Sequence, residues 1–360
     1  QAKEVFNVMM TGLAVSFSQV MASWPCRSPS GHQIRSMVMS LVHAAWTVNL
    51  VVKVICGDGA STNFQFFDQC ATARIAGRLA PYRTKHPWYL DEDIWFLLDP
   101  PHVIKIQRNN IANSKDHLNT RHIHKNGKEI IWPHIRAVAD YEATVRIRKT
   151  KLTQRHCQLQ SYTKMSVSLA AQTLSSTVAS VMEEIQERTD IYKSTKPFEE
   201  TIEFIRRSDR LFDICNVRSG PDEHGQSESS RTGKADLAPF TSSQDPRLNF
   251  CKEFQDYLLD WRTETDSKFG AGDYSHFLSS QCYKATLVNT QTIQEFVRWA
   301  LDEAGFRYVL TYRLSSDTVE TLHAQLREAG GDRRNPSVAD VMNSIPKLAL
   351  AKQSLRLVSV

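Results

Sequence analysis

The alternation of apolar and polar residues in the first third of the chain predicts a sheet flanked by helices. Short apolar runs recur between stretches that space their apolar residues at helical intervals. The predicted elements are two strands within 4–25, a helix over 32–50, a strand over 51–57, a helix capped by Ser61 or Thr62, a strand over 93–98 and a helix near 101–112. Residues 72–90 are expected to be a connection. The order β-β-α-β-α-β-α is typical of an α/β fold.

The pattern beyond about residue 133 predicts mainly helices. The expected helices cover SVSLAAQTLSSTVASVMEEIQERT, PFEETIEFIRRSDRLFDICN, 249–262, 289–304 and a segment that Ser315 or Ser316 caps and that runs to Gly330. Residues 218–247 interrupt them. Because this stretch is rich in Ser, Gly, Pro and charge and poor in large apolar residues, we expect it to be disordered or a loop insertion.

Composition limits the class of protein more than its function. The 360 residues can bury a large core and predict two or three domains. A net charge of +5 is compatible with a polyanionic partner but too small to indicate one alone. Seven scattered cysteines without a CxxC pair favour reduced thiols in an intracellular protein over a disulfide framework or a zinc site. No apolar run reaches transmembrane length, so we expect no membrane partner.

Two predicted strands end on acidic residues. Asp58 stands between two glycines after one strand, and Asp99 directly follows the next apolar strand. Acids at two strand ends favour a site at one edge of the sheet. The residues alone leave other interpretations open: Asp58 as a turn residue, Asp99 as a helix cap and Glu320 as a solvated helix residue. His122 and His124 suggest a metal pair, but no partner cluster supports it, and we interpret both as surface residues.

Seven segments resemble, in the same order, those of P-element-type DNA transposases, the THAP-containing cut-and-paste enzymes. The segments are CGDGASTNFQFF, FLLDPPHVIKIQRNN, NGKEIIWPHI, KLTQRH, YTKMSVSLAAQTLSSTVA, FDICNVRS and LTYRLSSDTVETLHAQLREAGGDRRNPSVADV. The resemblance covers roughly residues 4–345, apart from the 218–247 insertion. It implies an RNase H-like catalytic core, here with its first strand missing, that is interrupted by a mostly α-helical GTP-binding insertion domain.

The resemblance also implies where these parts begin and end. Its segments are an N-terminal part of the RNase H-like core over 1–132, the insertion domain over 133–305, a return to the core with the catalytic helix over 306–335, and a C-terminal segment over 336–360.

The N-terminal residues QAKEVFNVMMTG have neither an initiator Met nor a signal-peptide layout, and they are typical of an internal fragment that begins inside a strand.

The chemistry that the resemblance implies is Mg²⁺-dependent DNA cleavage followed by strand transfer. Both steps are in-line displacements at phosphorus, and carboxylates are the hard ligands that Mg²⁺ prefers. The resemblance assigns Asp58 and Glu320 as catalytic metal ligands and puts the first catalytic Asp upstream of Gln1. Asp99 is a further candidate ligand or a structural support. Many relatives follow the Glu with Asn and aromatic residues, where this chain has Thr321-Leu322-His323.

A guanine nucleotide is the second ligand that the resemblance implies. There is no GxxxxGK[ST] loop, so a P-loop is excluded. Phe212 is expected to stack on the base, Asp213 to accept from guanine, and Asn216 to add a polar contact. The remaining implied contacts are Lys151, Ser166 and Val167 on the phosphate and ribose side, Ser175, and Asp317 reaching across from the catalytic helix. GTP is expected to act as a structural cofactor.

A basic run is expected to track DNA phosphate, although such runs are also typical of solvated faces. Its members are Lys105, Arg108, Lys125, Lys128, Arg146, Arg148 and Lys149. The implied partners are DNA, as transposon ends and as target, together with GTP and further copies of the chain assembled on DNA in the nucleus. The alternative is a degenerate or domesticated relative that binds DNA or guanine nucleotide without catalysis, and a helical interaction scaffold is the third interpretation.

Overall fold

The computed structural model describes residues 3–76, 79–188, 197–220, 229, 232–329 and 337–358. The fold is mixed α/β, and the chain divides into two compact units. Unit 1 takes residues from 1–74, 81–97 and 313–360, and unit 2 takes residues from 75–80 and 98–312.

Unit 1 begins with the two predicted strands, which form an antiparallel hairpin. Strand β1 (Glu4–Thr11) pairs with β2 (Ser18–Cys26), with a register shift between Val8 and Met9. Helix α1 (Gly31–Thr47) follows, and Ser30 caps it in a capping box with Gln33.

A four-stranded sheet with the order β3-β6-β5-β4 comes next. Its strands are β3 (Val54–Gly57), β4 (Ala73–Ile75), β5 (Ala80–Lys85) and β6 (Asp93–Leu98). Strands β4 and β5 lie in the stretch predicted to be a connection. The sequence pattern missed them because both are short and β5 contains a proline, which weakens the strand pattern. Helix α2 (Ser61–Cys70) packs on α1, and Phe67 stacks on Phe96 of β6 with ring centroids 4.4 Å apart. The predicted cap is wrong, since Ala60 occupies the N-cap position.

Two helices at the C-terminal end of unit 1 pack on the β1–β2 hairpin, and the first of them was predicted. Helix α12 (Asp317–Ala329) and helix α13 (Val338–Val358) pack on β1 and on each other, and α13 also packs on β2. Leu322, Leu326 and Val341 form a small buried cluster, against which Val5 and Met9 of β1 pack. The predicted end of the first helix, Gly330, lies outside the described residues.

Unit 2 is mostly helical around one small hairpin. Its elements are α3 (Pro100–Ala112), β7 (Ile123–Lys125), β8 (Lys128–Ile130), α4 (Trp132–Thr144), α5 (Gln154–Cys157), α6 (Ser161–Lys164), α7 (Val167–Thr173), α8 (Ser176–Arg188), α9 (Glu199–Ile214), a 3₁₀ turn (Ala235–Leu237), α10 (Pro246–Phe269) and α11 (Ser280–Arg298), which continues as a π-helical turn (Trp299–Glu303). Its core buries Trp132, Phe204, Phe254 and Trp261 completely.

The compact units divide at other positions than the predicted domains. The sequence predicted the insertion domain over 133–305, whereas unit 2 resumes at residue 98 and continues to 312. Helix α3 accounts for the earlier boundary, because it buries Val103, Ile104 and Ile111 and packs on α7, α9 and α11 of unit 2. The sequence pattern of α3 resembles that of its neighbours and does not indicate that the boundary between the units lies before this helix.

Two further expectations need correction. The long helix expected from Ser166 is two helices, α7 and α8, because the chain turns at Leu174 and Ser175 starts the second helix by accepting from the Val178 amide at 3.4 Å. Residues 232–247 are ordered rather than disordered: Phe240 is fully buried and its backbone pairs with Val309. The rest of the expected disordered stretch, 221–228 and 230–231, lies outside the described residues. No helix in the described part of the chain is long and apolar enough to span a membrane.

Candidate nucleotide and metal sites

Asp58 lies in the tight turn between β3 and α2 of unit 1. Its Oδ1 accepts from the Ala60 amide at 2.9 Å and from Asn63 Nδ2 at 2.7 Å. Gly57 permits this arrangement, because a Cβ there would lie 3.1 Å from Asn63 Nδ2. The carboxylate is exposed, and its hydrogen bonds to described residues all end on Oδ1. The turn therefore orients the side chain and leaves Oδ2 as an oxygen that a cation can take.

Glu320 lies in the first turn of α12, where it is exposed and where the helix dipole favours an acid. The helix is tied to β1 by His323, whose Nε2 lies 3.2 Å from Asn7 Nδ2, and by Thr318, whose hydroxyl lies 3.4 Å from that of Thr11. Burial lowers the pKa of His323. The triplet Thr321-Leu322-His323 thus includes a contact of α12 with β1, while Glu320 itself is exposed.

Asp99 differs from both of these acids because it is 1% exposed and belongs to unit 2. It precedes α3, and its backbone carbonyl accepts from His102 at 2.9 Å and from Val103 at 3.0 Å. Its side chain does not cap the helix. Asp99 thus occupies the N-cap position, as the cap interpretation expects, but caps through its backbone carbonyl, and its role as a metal ligand stays a prediction.

Asp213, the expected guanine reader, stands near the end of α9. Its Oδ2 lies 2.6 Å from Lys234 Nζ, which also lies 3.9 Å from Oδ1 of Asp209. Burial raises the pKa of Asp213 to about 6, and Lys234 opposes that shift. Asp209, one helical turn earlier, accepts from the amide and the hydroxyl of Ser176 at the start of α8. The site thus joins α8, α9 and the segment around Lys234.

Phe212 lines a small cleft between α3, α9 and α11. Gln107 and Asn289 in its wall are already paired, with Thr286 and with the backbone of Leu98. Ser208, one helical turn before Phe212, is fully buried, and its hydroxyl has no hydrogen-bond partner among the described residues. Sequence reasoning missed Ser208; its spacing of four residues from Phe212 on a helix was the available signal.

The expected phosphate and ribose contacts lie at helix starts in unit 2. Ser166 caps α7 by accepting from the Leu169 amide at 3.3 Å, and Val167 is the first residue of that helix. Ser175 caps α8 in the same way, and Lys151 is exposed in the loop before α5. Amide groups at helix starts favour anions.

Arg108 holds the turn that leads into this helix start. Its Nη2 donates to the carbonyls of Thr163 at 3.2 Å and Lys164 at 2.9 Å. The side chain is fully buried, and burial alone lowers the pKa of Arg108 to about 10. Its Nη1 has no hydrogen-bond partner within the described ranges. A buried guanidinium therefore binds the turn that precedes Ser166 in the chain.

Two other expected nucleotide contacts are placed differently. The Asn216 side chain accepts from Arg218 Nε at 3.1 Å, close after Asp213. Asp317 belongs to unit 1, where its amide donates to the Ser315 hydroxyl at 3.3 Å, so its reach to the nucleotide stays a prediction.

The predicted DNA-binding run is corrected at three positions. Arg108 is buried as described, Lys105 is buried in α3, and Lys125 is buried with its Nζ 4.6 Å from the ring centre of Tyr257. Because these residues belong to the core, they are not available to track phosphate. The prediction of this DNA-binding run rests on charge alone, and charge in a sequence does not reveal whether a side chain is buried.

The other four residues of that run lie at the surface. Arg146 and Arg148 are exposed, whereas Lys128 pairs with Glu199 at 3.4 Å and Lys149 with Glu184 at 2.6 Å. Exposed pairs of this kind stabilise a protein by only about 0.2–1 kcal/mol and open readily.

Comparisons with known proteins bear on both sites. Residues 101–227 match the family model of the TNP-like, GTP-binding insertion domain. Over 264 residues, 73% of this chain, the sequence is 23% identical to the Transposable element P transposase of Drosophila melanogaster. The match covers 31% of that protein, so the chain spans about a third of its length. The solved Drosophila P element transposase strand transfer complex aligns with a TM-score of 0.74 and 20% identity, over 96% of this chain and 70% of the solved chain.

These findings confirm the resemblance predicted from the seven segments. The structural likeness shows that the chain has the mixed α/β fold of that transposase. The family match falls within unit 2 and contains every expected nucleotide contact except Asp317.

Proposed function

We propose that this chain is part of a cut-and-paste DNA transposase that cleaves DNA and transfers strands with Mg²⁺ and uses GTP as a structural cofactor. The observation that carries the proposal is the likeness to the P element transposase over 96% of the chain, with the insertion-domain match inside one compact unit. In this proposal the strands and helices of unit 1 are an RNase H-like core. The protein acts in the nucleus, on transposon ends and target DNA, as an oligomer assembled on DNA.

Asp58 and Glu320 are the residues that we propose to hold Mg²⁺. Both carboxylates are exposed, both stand at the ends of ordered elements, and both offer the hard oxygens that Mg²⁺ takes. Bound Mg²⁺ supplies charge stabilisation to the oxygens of a phosphoryl group in displacement. The chain's own contribution is orientation, since Asn63 and the Ala60 amide fix the rotamer of Asp58.

The residues of unit 2 fit a guanine nucleotide. An ionised Asp213 can accept from the N1-H and 2-amino groups of guanine, which adenine lacks. Ser208, one helical turn before Phe212, offers a buried hydroxyl without a hydrogen-bond partner among the described residues. Guanine would displace the Lys234 ammonium from Asp213. The buried guanidinium of Arg108, bonded to the turn that precedes Ser166 in the chain, adds positive charge that favours phosphate at that helix start.

For DNA, we propose contacts from the exposed Arg146 and Arg148, with Lys128 and Lys149 joining once their weak pairs open. The comparisons do not favour the alternative, a degenerate relative without catalysis.

The test uses the full-length protein from which this chain comes, with transposon-end DNA and Mg²⁺. Asp58→Ala should lower cleavage at least about 1,000-fold, because one of the carboxylates on which the metal depends is lost. The exposed Asp91→Ala in the same unit is the matched control and should cleave normally. Circular dichroism should show both variants folded. Normal cleavage by folded Asp58→Ala would reject the catalytic assignment, and an inactive wild-type protein would support the degenerate alternative.

A further inference from the structure

We propose that His122, His124 and Glu129 form a binding site in unit 2 for a divalent transition-metal cation of the Zn²⁺ class. One ligand atom from each side chain lies within 4.8 Å of the others. The histidines had been interpreted as surface residues because the sequence offered no partner. The fold supplies that partner, and the site does not depend on the proposed GTP or DNA functions.

The β7–β8 hairpin creates the cluster. Its turn is Asn126-Gly127, and both residues have positive φ, 51° and 72°, as a two-residue hairpin turn requires. The register pairs His124 directly with Glu129. His122 lies two residues before His124, and side chains two apart on an extended chain share a face. All three side chains therefore meet on one face of the hairpin.

Hydrogen bonding prepares His124 as a ligand. Its Nδ1 lies 2.7 Å from the carbonyl oxygen of His122, which can only accept, so Nδ1 carries the proton. In the neutral ring the lone pair is then on Nε2, and this atom lies 3.7 Å from Glu129 Oε1. Metal-bound histidines are commonly fixed in this manner, with the second ring nitrogen donating to a carbonyl or a carboxylate.

Glu129 is the buried member, with 5% of its side chain exposed. Its Oε1 contacts both His122 Nε2 and the ammonium of Lys115. Zn²⁺ holds nitrogen and oxygen ligands at about 2.0–2.1 Å, which places two tetrahedral ligands about 3.3 Å apart. Small side-chain rotations bring the three atoms from their present spacing to that distance. The cation would replace Lys115 as the counter-charge of Glu129.

The surroundings are rigid and favour this class of metal. The amide of His122 donates to the Ser275 carbonyl at 2.7 Å, and that of His124 to the His276 carbonyl at 3.2 Å. The His276 ring stacks on Phe269 with centroids 3.8 Å apart, beside the cluster. Two imidazoles and one carboxylate suit Zn²⁺ and related metals, whereas Mg²⁺ and Ca²⁺ prefer oxygen-only sets. Three protein ligands leave a fourth position for water.

The experiment uses the chain after removal of any histidine tag and of bound metal by a chelator. Zn²⁺ is titrated by calorimetry, and Co²⁺ by its visible absorption, which is intense in tetrahedral sites. The wild type should bind one equivalent of Zn²⁺, gain thermal stability from it, and keep its affinity in excess Mg²⁺. His124→Asn, which retains a donor for the His122 carbonyl, and His122→Ala should each weaken Zn²⁺ binding at least about 100-fold.

Two further variants sharpen the test. Lys115→Met should tighten Zn²⁺ binding several-fold, because the competing ammonium is gone. The exposed His32→Ala in unit 1 is the matched control and should bind as the wild type does. Circular dichroism of the metal-free variants shows whether each folds, and if His122→Ala does not, His124→Asn decides. Zn²⁺ affinity unchanged in folded His124→Asn, or equal losses in His32→Ala, would overturn the site.

Discussion

The two units differ in how deeply their candidate sites are built into the protein. In unit 2, Arg108, which bonds to the turn before one expected nucleotide contact, and Ser208, which lies on the same helix as two others, are fully buried. In unit 1 neither β1 nor β2 contains a buried residue, and Asp58 and Glu320 are exposed. In the proposed function, unit 2 would therefore hold GTP with buried side chains fixed before binding, whereas the exposed acids of unit 1 would bind a cation. Substitutions of these buried side chains should therefore change GTP affinity strongly, and surface charges should change it little.

The largest effect on nucleotide affinity is expected from Arg108→Met. The substitution keeps the apolar stem and removes a buried charge together with its hydrogen bonds to the carbonyls of Thr163 and Lys164. We expect GTP affinity to fall about 100-fold, roughly 3 kcal/mol, and guanosine affinity to fall much less, since the loss is on the phosphate side. Calorimetric titration with both ligands measures it.

Arg148→Ala, an exposed arginine of the same unit, is the control and should leave the affinity for GTP unchanged. If folded Arg108→Met binds GTP as the wild type does, the buried guanidinium only supports the turn and does not favour phosphate there.

The next effect is the pH dependence of guanine recognition. Burial raises the pKa of Asp213 to about 6, with Asp209 and Asp236 adding to the shift and Lys234 opposing it. Since only the ionised carboxylate accepts both guanine donors, the GTP-to-ATP affinity ratio should be constant above about pH 7 and about tenfold lower at pH 5. The ratio cancels the titration of the phosphates, which both nucleotides share.

The raised pKa of Asp213 also affects the free energy of unfolding: guanine binding needs the ionised carboxylate, whereas the folded state is stabilised by the protonated one. Because the folded pKa is raised from the usual 3.8 to about 6, the folded chain binds the proton more tightly than the unfolded chain. The contribution of Asp213 to stability is therefore greatest below pH 3.8, is lost as the pH rises to about 6, and changes no further above that. A nucleotide ratio that does not change between pH 7.5 and 5 would show that Asp213 does not read the base.

The smallest effect is expected from Lys234→Gln. Its ammonium pairs with Asp213, but 47% of the lysine side chain is exposed, so the pair is worth only about 0.2–1 kcal/mol. At pH 7.5 the loss of this competitor should raise GTP affinity about two- to fivefold. Lys234→Arg keeps the charge and is the matched control. A fall in GTP affinity with Lys234→Gln would mean that the lysine assists the nucleotide instead of competing with it.

Much of unit 1 and several helices of unit 2 were predicted from the sequence pattern alone. The strand at 93–98 and the helix beginning near 101 were predicted closely, because long apolar or amphipathic runs are bounded there by clear signals such as Pro100. The break at Ser175 was missed, because a cap inside a continuous helical pattern looks like an ordinary helix residue. The order around Phe240 was missed because one buried aromatic residue anchors a stretch whose average composition is polar.

At the candidate sites, sequence pattern alone fails more often, because burial and long-range contacts decide them. Charge is visible in a sequence but burial is not, so Arg108 and Lys125 were grouped with exposed residues such as Arg148. The meeting of His124 with Glu129 depends on a two-residue turn, for which Asn126-Gly127 was an available signal. Contacts that depend on register and packing, such as that of Lys234 with Asp213, had no local signal at all.

Whether Asp213 reads guanine is decided by titrating the chain and Asp213→Asn with GTP, ATP and xanthosine triphosphate at pH 7.5. We predict that the wild type prefers GTP over ATP. Asp213→Asn should lose about 2 kcal/mol, or roughly thirtyfold, in GTP affinity and should favour xanthosine triphosphate. The reason is that the new amide donor meets an acceptor where guanine carries its amino group. Equal affinity of the wild type for GTP and ATP, or an unchanged preference in Asp213→Asn, would contradict the claim that Asp213 reads guanine.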